Sequence, residues 1–176
     1  ISGFLEQEPT SIIQEIQTNW DETPTEDKLV FSSPIPLNEE QRKIISAVNS
    51  KNGRFITVQG PPGTGKSHTI TAILFEAILK GKSVLMLSDK KEALDVVEDK
   101  LSEVLDKTRM GEGFQNPILR LGREGNTYNK ILANQNVENI RTHLRASEEA
   151  LKVNNPKQAK DELASKTKDY INKYSE

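Results

Sequence analysis

The most informative part of this chain is a glycine-rich octapeptide that reads Gly60-Pro61-Pro62-Gly63-Thr64-Gly65-Lys66-Ser67. The spacing Gly-x-x-x-x-Gly-Lys-Ser is that of a P-loop, also called Walker A. Glycines suit such a loop because phosphate oxygens must approach the backbone closely and the chain must reach positive φ. The octapeptide therefore predicts that this chain binds ATP.

The remaining positions of the octapeptide have distinct predicted roles. Successive backbone N–H groups at a helix N-terminus favour negative charge. Lys66 is the predicted catalytic residue, with an ammonium for the β- and γ-phosphates, and the hydroxyl of Ser67 is the predicted ligand of Mg²⁺. Pro61 and Pro62 fix φ and so stiffen the loop. His68, in the first turn of the following helix, is a further candidate to flank the nucleotide.

The segments around the octapeptide alternate between strand and helix patterns. The predicted strands are short and rich in apolar residues, as in a sheet that is buried on both faces. The predicted order is strand Arg54–Gln59, helix Lys66–Leu79 closed by Gly81, strand Ser83–Leu87, helix Lys91–Leu105 and strand Ile118–Leu121. This alternation predicts an α/β fold with a parallel sheet and flanking helices. Together with the octapeptide it resembles the RecA-like P-loop NTPases.

Charge and composition divide the chain into three predicted parts. Residues 1–40 hold nine acidic residues and one lysine, a net charge of -8, whereas the remainder holds 23 basic and 17 acidic residues, a net charge of +6. We predict an acidic lead-in at 1–36, an NTPase core at 37–125 and a helical arm at 126–176. In the lead-in, a short helix over Ser11–Trp20 is expected. We favour anchoring of Trp20 on the local core over the alternative, docking on a neighbouring domain. The arm should contain two helices separated at Pro156.

Composition also limits the classes of protein to consider. The chain has no cysteine, so disulfides and thiolate metal sites are excluded. No apolar run approaches the roughly 20 residues of a membrane span, and no signal peptide is visible. We therefore predict a cytoplasmic protein without a membrane partner. Because the chain begins with Ile1 rather than Met, we interpret it as a piece of a longer protein.

A helix is predicted from Asn38 to Asn49, shortly before the octapeptide. Asn38 is a favourable N-cap, and Gln41 three residues later completes a capping box. Ile44, Ile45 and Val48 give this helix an apolar face.

Three stretches together resemble the superfamily 1 helicases, in the branch that includes the nonsense-mediated-decay helicase, and within it large bacterial members. They are Leu37–Gln41, Gly60–Ile70 and Ser83–Val97. The resemblance extends over residues 34–122. It implies the N-terminal part of an ATP-dependent helicase motor, with single-stranded DNA or RNA as partner and a second RecA-like domain in the same parent chain.

The resemblance also implies roles for residues outside the octapeptide. Gln41 would be the Q-motif glutamine, whose amide can both donate to and accept from adenine; the alternative is that it only completes the capping box. Ser88, Lys90 and Lys91 would belong to motif Ia, which contacts the nucleic-acid backbone. This sequence departs from the usual Ala-Pro-Thr/Ser form of that motif, and a solvated helix N-terminus is the alternative.

Two other functions are compatible with the same residues. Asp89 follows an apolar run, as a Walker B acid would, so the chain could be a small self-contained NTPase or kinase. It could also be a module in which ATP switches binding of a protein partner. After residue 122 no apolar run ends in Asp-Glu. Without that pair we expect this piece, as an incomplete motor domain, to bind ATP and hydrolyse it poorly.

Overall fold

The structure is a computed structural model that describes residues 12–31, 33–51, 55–109, 113–121 and 127–174. The chain divides into two compact units, Ile1–Val97 and Glu98–Glu176. The helices of the described residues are α1 (Ile12–Glu22), α2 (Thr25–Leu29), α3 (Glu39–Asn49), α4 (Lys66–Leu79), α5 (Lys91–Thr108), α6 (Thr127–Ile131), α7 (Asn134–Val153) and α8 (Pro156–Tyr174). The predicted boundaries at 36 and 125 are untested by this division.

The predicted α/β fold with a parallel sheet is wrong for this structure, because its described residues contain helices and connections but no β-strand. The three segments predicted as strands, 54–59 (described from Phe55), Ser83–Leu87 and Ile118–Leu121, are non-helical connections. In the second of them Leu85 is 74% and Leu87 80% exposed. An extended segment becomes a strand only when the N–H and C=O groups of a neighbour pair with it. An apolar run shows β propensity but does not supply that neighbour.

The helix predictions around the octapeptide are confirmed. Helix α3 begins after Asn38, whose side chain accepts from the Gln41 N–H at 2.9 Å while Gln41 Oε1 accepts from the Asn38 N–H at 3.1 Å. Helix α4 has the predicted bounds, with Lys80 as its C-cap, and is followed by Gly81, where φ is 64°. Gly81 N–H donates to Ile78 and Lys82 N–H donates to Ala77, which satisfies two carbonyls that would otherwise lack helical partners.

In the first unit, helix α3 lies between its two neighbours. It packs on α1 and on α4. Ile35, which is 2% exposed, and Phe75 of α4 are among the buried apolar side chains. Burial of a side chain such as Ile35 stabilises the fold by about 1.5–3 kcal/mol. This packing holds the start of α3 and the start of α4 in one body.

The second unit contains the end of α5 and the predicted helical arm. Leu101 and Leu105 are buried on one face of α5. Helix α8 begins at Pro156, one residue before the predicted start, where Asn155 Oδ1 accepts from the Lys157 N–H at 3.1 Å. Pro suits this first helical position because its missing N–H would have no partner there. Among the described helices, none has the length and apolar character needed to cross a bilayer.

Candidate nucleotide-binding site

The predicted phosphate-binding octapeptide, Gly60–Ser67, is called the phosphate loop below. It leads directly into α4, whose N-cap is Gly65. Gly63 and Gly65 have φ values of 85° and 77°, so the predicted positive φ is found at both. Residues other than glycine rarely adopt this left-handed conformation. The backbone of the loop therefore turns sharply just before the first turn of α4.

Gly60 is needed for a different reason, the close approach of another part of the loop. A Cβ atom at position 60 would lie 2.7 Å from Oγ1 of Thr64. That hydroxyl donates to the carbonyl of Pro61 at 2.9 Å. The Thr64 side chain therefore folds back across Gly60 and closes the turn.

Gln41, in the first turn of α3, lies beside Gly65 of the phosphate loop. Its side chain is 9% exposed, and its amide nitrogen would be 2.8 Å from a Cβ built at Gly65. Its amide oxygen is the atom that accepts from the Asn38 N–H. The two interpretations of Gln41, capping residue and adenine reader, thus involve different atoms of one amide, and the capping role is confirmed by the structure.

Lys66 is folded onto the loop that precedes it. Its ammonium donates to the carbonyls of Gly60 at 2.5 Å and Pro61 at 2.8 Å. An ammonium has three donors, so these two bonds leave capacity for one more. A phosphate oxygen would compete well for this cation, because hydrogen bonds between ionised partners are stronger than those to neutral carbonyls. Lys66 is exposed and can swing toward such a ligand.

Ser67 and His68 lie in the first turn of α4. Ser67 is half-buried, and its carbonyl accepts from the Thr71 hydroxyl at 2.8 Å. One hydroxyl suits Mg²⁺ bound with a nucleotide, because this ion keeps several waters and takes further ligands from phosphates. His68 Nε2 lies 2.7 Å from the carbonyl oxygen of Pro36. Besides its predicted place beside the nucleotide, His68 therefore connects α4 to the segment before α3.

The side chain of Arg42 lies close to two aromatic rings. The sequence predicted no role for this residue. Its guanidinium carbon lies 4.9 Å from the ring centroid of Trp20 and 4.4 Å from that of Phe31. The same group donates to the carbonyl of Lys28. We call Arg42, its two rings and this carbonyl the arginine clamp. Partial burial lowers the pKa of the Arg42 guanidinium from its usual value.

The arginine clamp confirms the expected local anchoring of Trp20, which lies against α3. No local sequence pattern predicts the arginine clamp, because the two rings are 22 and 11 residues before Arg42 in the sequence. Cation–π contacts of this kind contribute about 0.5–2 kcal/mol, more when the cation is desolvated. A second tie runs from Lys43 of α3 to Gln17 of α1, with 2.8 Å between Nζ and Oε1.

The residues predicted as motif Ia lie at the start of α5. Ser88 Oγ accepts from the Lys90 N–H at 3.1 Å, which shapes the turn before the helix. The side chains of Asp89, Lys90 and Lys91 are exposed. Their predicted roles toward nucleic acid, or toward Mg²⁺ for Asp89, stay predictions.

Comparison with known proteins gives one family and several relatives. The profile of the AAA domain family matches residues 36–176. An uncharacterized ATP-dependent helicase of Mycoplasma genitalium is 52% identical over 46 residues, which is 26% of this chain and 4% of that protein. The DNA polymerase alpha-associated DNA helicase A of Schizosaccharomyces pombe is 33% identical over 99 residues, 54% of this chain and 13% of that protein.

These relatives confirm the predicted resemblance to helicases. A homolog of the first relative in Mycoplasma pneumoniae matches to the same extent, 52% over 46 residues. The chain spans only a small part of each curated relative, 4% or 13% of its length. No solved structure matches the chain significantly.

Proposed function

This chain belongs to the AAA domain family, and from that premise we propose that it is the ATP-binding part of an ATP-dependent nucleic-acid helicase or translocase. ATP with Mg²⁺ would bind at the phosphate loop. Gly60, Pro61, Pro62, Gly63, Thr64, Gly65, Lys66 and Ser67 would surround the phosphates, with Lys66 neutralising charge and Ser67 on the metal. Gln41 and His68 would lie beside the nucleotide.

The phosphate loop and the adjacent Gln41 are the observation that carries this proposal. A glycine turn with two positive φ angles runs into a 14-residue helix, and among the described residues an exposed ammonium donates to two neutral carbonyls of the same turn. Such a turn exposes backbone donors and the positive end of a helix dipole to an anion. Nothing in that arrangement selects a base, and Gln41, whose amide lies beside Gly65, would do so.

The nucleic-acid partner is the less direct part of the proposal. Two of the relatives are named ATP-dependent helicase and DNA helicase. Single-stranded DNA or RNA would contact Ser88, Lys90 and Lys91, mainly through phosphates, as such strands are often held. The rest of the motor, including a second motor domain, would lie in the same parent protein, with a cytoplasmic location.

Isothermal titration calorimetry of this chain with ATP and Mg²⁺ tests the proposal. The wild-type chain should bind, and Lys66→Ala should weaken binding by about tenfold to hundredfold, the loss of one charge-assisted hydrogen bond. The matched control is Lys82→Ala, which removes an exposed lysine just beyond α4 and should leave affinity unchanged. Unaltered affinity in the Lys66 variant, or equal loss in both, would show that the phosphate loop is not the site.

A further inference from the structure

We propose that Arg42 is a positioning residue for base recognition, because the arginine clamp fixes where the amide of Gln41 lies beside Gly65. This inference rests on the proposed function, since it concerns how the same site selects ATP. Arg42 itself would not touch the nucleotide. It would act by holding the start of α3 against the segment that precedes this helix.

The geometry of the arginine clamp supports this role. A planar guanidinium lies 4.9 Å and 4.4 Å from the centroids of two rings and donates to a backbone carbonyl at the same time. These contacts restrict the rotation of α3 about its axis. Because Gln41 is the residue immediately before Arg42, any rotation allowed by loss of the clamp moves the Gln41 amide. Lysine cannot replace arginine here, since a compact ammonium lacks the planar stacking surface.

A second connection reaches the same segment from the phosphate loop. The carbonyl of Pro36 is bound by His68, in the first turn of α4. The carbonyl of Lys28 is bound by Arg42, in the first turn of α3. Lys28 and Pro36 are therefore tied to the starts of the two helices that form the candidate site. A segment predicted as an acidic lead-in thereby becomes part of its framework.

Loss of the arginine clamp should alter recognition of the base and leave binding of the phosphates unchanged. The phosphate loop is closed by its own contacts, from Thr64 to Pro61 and from Lys66 to Gly60 and Pro61. Those contacts involve no atom of Arg42. Displacement of the Gln41 amide should therefore lower the preference for ATP over GTP without changing affinity for a ligand that has only phosphates.

Calorimetry with ATP, GTP and inorganic tripolyphosphate, each with Mg²⁺, tests this directly. Arg42→Lys should reduce the ATP-to-GTP preference by about threefold to tenfold, the loss of one hydrogen bond, and leave tripolyphosphate affinity unchanged. In a Gln41→Ala background the same substitution should have no further effect on preference. Arg145→Lys is the control, since it makes the same substitution at an exposed position of α7.

An independent measurement uses Trp20, the single tryptophan of the chain. Its emission reports on the clamp, and it should change on addition of ATP more than on addition of tripolyphosphate. Thermal melting of Arg42→Lys and Arg42→Ala establishes that the variants are folded. If Arg42→Ala unfolds, Arg42→Lys alone decides the outcome.

Three results would overturn the inference. Equal weakening of all three ligands in Arg42→Lys would show a general structural role, and unchanged affinity for all three would show none. The wild-type chain could also bind tripolyphosphate and ATP without preferring ATP to GTP. That result would show that the site does not select a base, and the phosphate loop would remain an ATP site. Failure of the wild-type chain to bind ATP at all would instead refute the proposed function, and this inference with it.

Discussion

The amide nitrogen of Gln41 lies so close to Gly65 that a Cβ atom at position 65 would be 2.8 Å from it. The two residues belong to different helices, since Gln41 is in the first turn of α3 and Gly65 is the N-cap of α4. Gln41 Oε1 is at the same time held by the Asn38 N–H. The glycine that permits the turn of the phosphate loop therefore also makes room for the side chain proposed to read the base.

Gly65→Ala should weaken ATP binding more than Gly63→Ala does. Both substitutions place a Cβ on left-handed backbone, at a cost of about 1–2 kcal/mol in stability. At Gly63 nothing lies within 4 Å of the new atom, whereas at Gly65 it displaces the Gln41 amide. Thermal melting should therefore show similar losses for the two variants, and calorimetry should show a greater loss of ATP affinity at Gly65.

The Gln41→Ala background provides the control for this pair. Once the amide is absent, the additional loss caused by Gly65→Ala should disappear and the two glycine positions should become equivalent. If Gly65→Ala still weakened ATP binding more than Gly63→Ala in that background, the cause would be the loop backbone itself. The contact with Gln41 would then not explain the difference.

The two halves of the capping box should differ in their effect on nucleotide choice. Asn38→Ala removes the side chain that accepts from the Gln41 N–H and should lower stability by about 0.5–2 kcal/mol. ATP and GTP affinities should then change equally. Gln41→Ala should lower stability as well, but it should weaken ATP more than GTP, since only Gln41 reaches Gly65. An unchanged ATP-to-GTP ratio in Gln41→Ala would leave Gln41 with its capping role alone.

The sequence predicted the local features of this protein well and the sheet wrongly, and the reason is the range of the interactions involved. The Asn38 cap, the bounds of α4 and the turn at Gly81 depend on residues within a few positions of one another. A parallel sheet instead requires pairing between distant segments. Ser83–Leu87 has the apolar composition of a buried strand, but the described residues supply no pairing neighbour and leave Leu85 and Leu87 exposed. The arginine clamp was missed for the same reason, since its rings lie far from Arg42 in sequence.

The wild-type chain should bind ATP but turn it over far more slowly than the roughly 10 per second that is typical of enzymes. We expect this because no apolar run ending in Asp-Glu follows residue 122, and such a run would carry the acid pair that activates water. Phosphate release measured with ATP and Mg²⁺, with and without single-stranded DNA, checks this. Asp89→Asn should have no more effect than Asp99→Asn on α5.

Rapid turnover that Asp89→Asn abolishes and Asp99→Asn preserves would contradict that expectation. It would assign Asp89 to the metal and make the chain a self-contained NTPase or kinase. Slow turnover in all three proteins would leave the chain as the ATP-binding part of a larger motor.

Lys90→Ala and Lys91→Ala should each weaken binding of single-stranded DNA or RNA in the presence of ATP. Both side chains are exposed at the start of α5, in a turn shaped by the bond between Ser88 and the Lys90 N–H. Each lysine that contacts a phosphate releases counterions, so its loss should reduce the slope of log K against log salt by about 0.7. Fluorescence anisotropy of a labelled oligonucleotide at several salt concentrations measures that slope. Lys100→Ala, an exposed charge further along α5, should leave the slope unchanged. Equal slopes in all variants would place the strand elsewhere and leave these lysines as a solvated helix N-terminus.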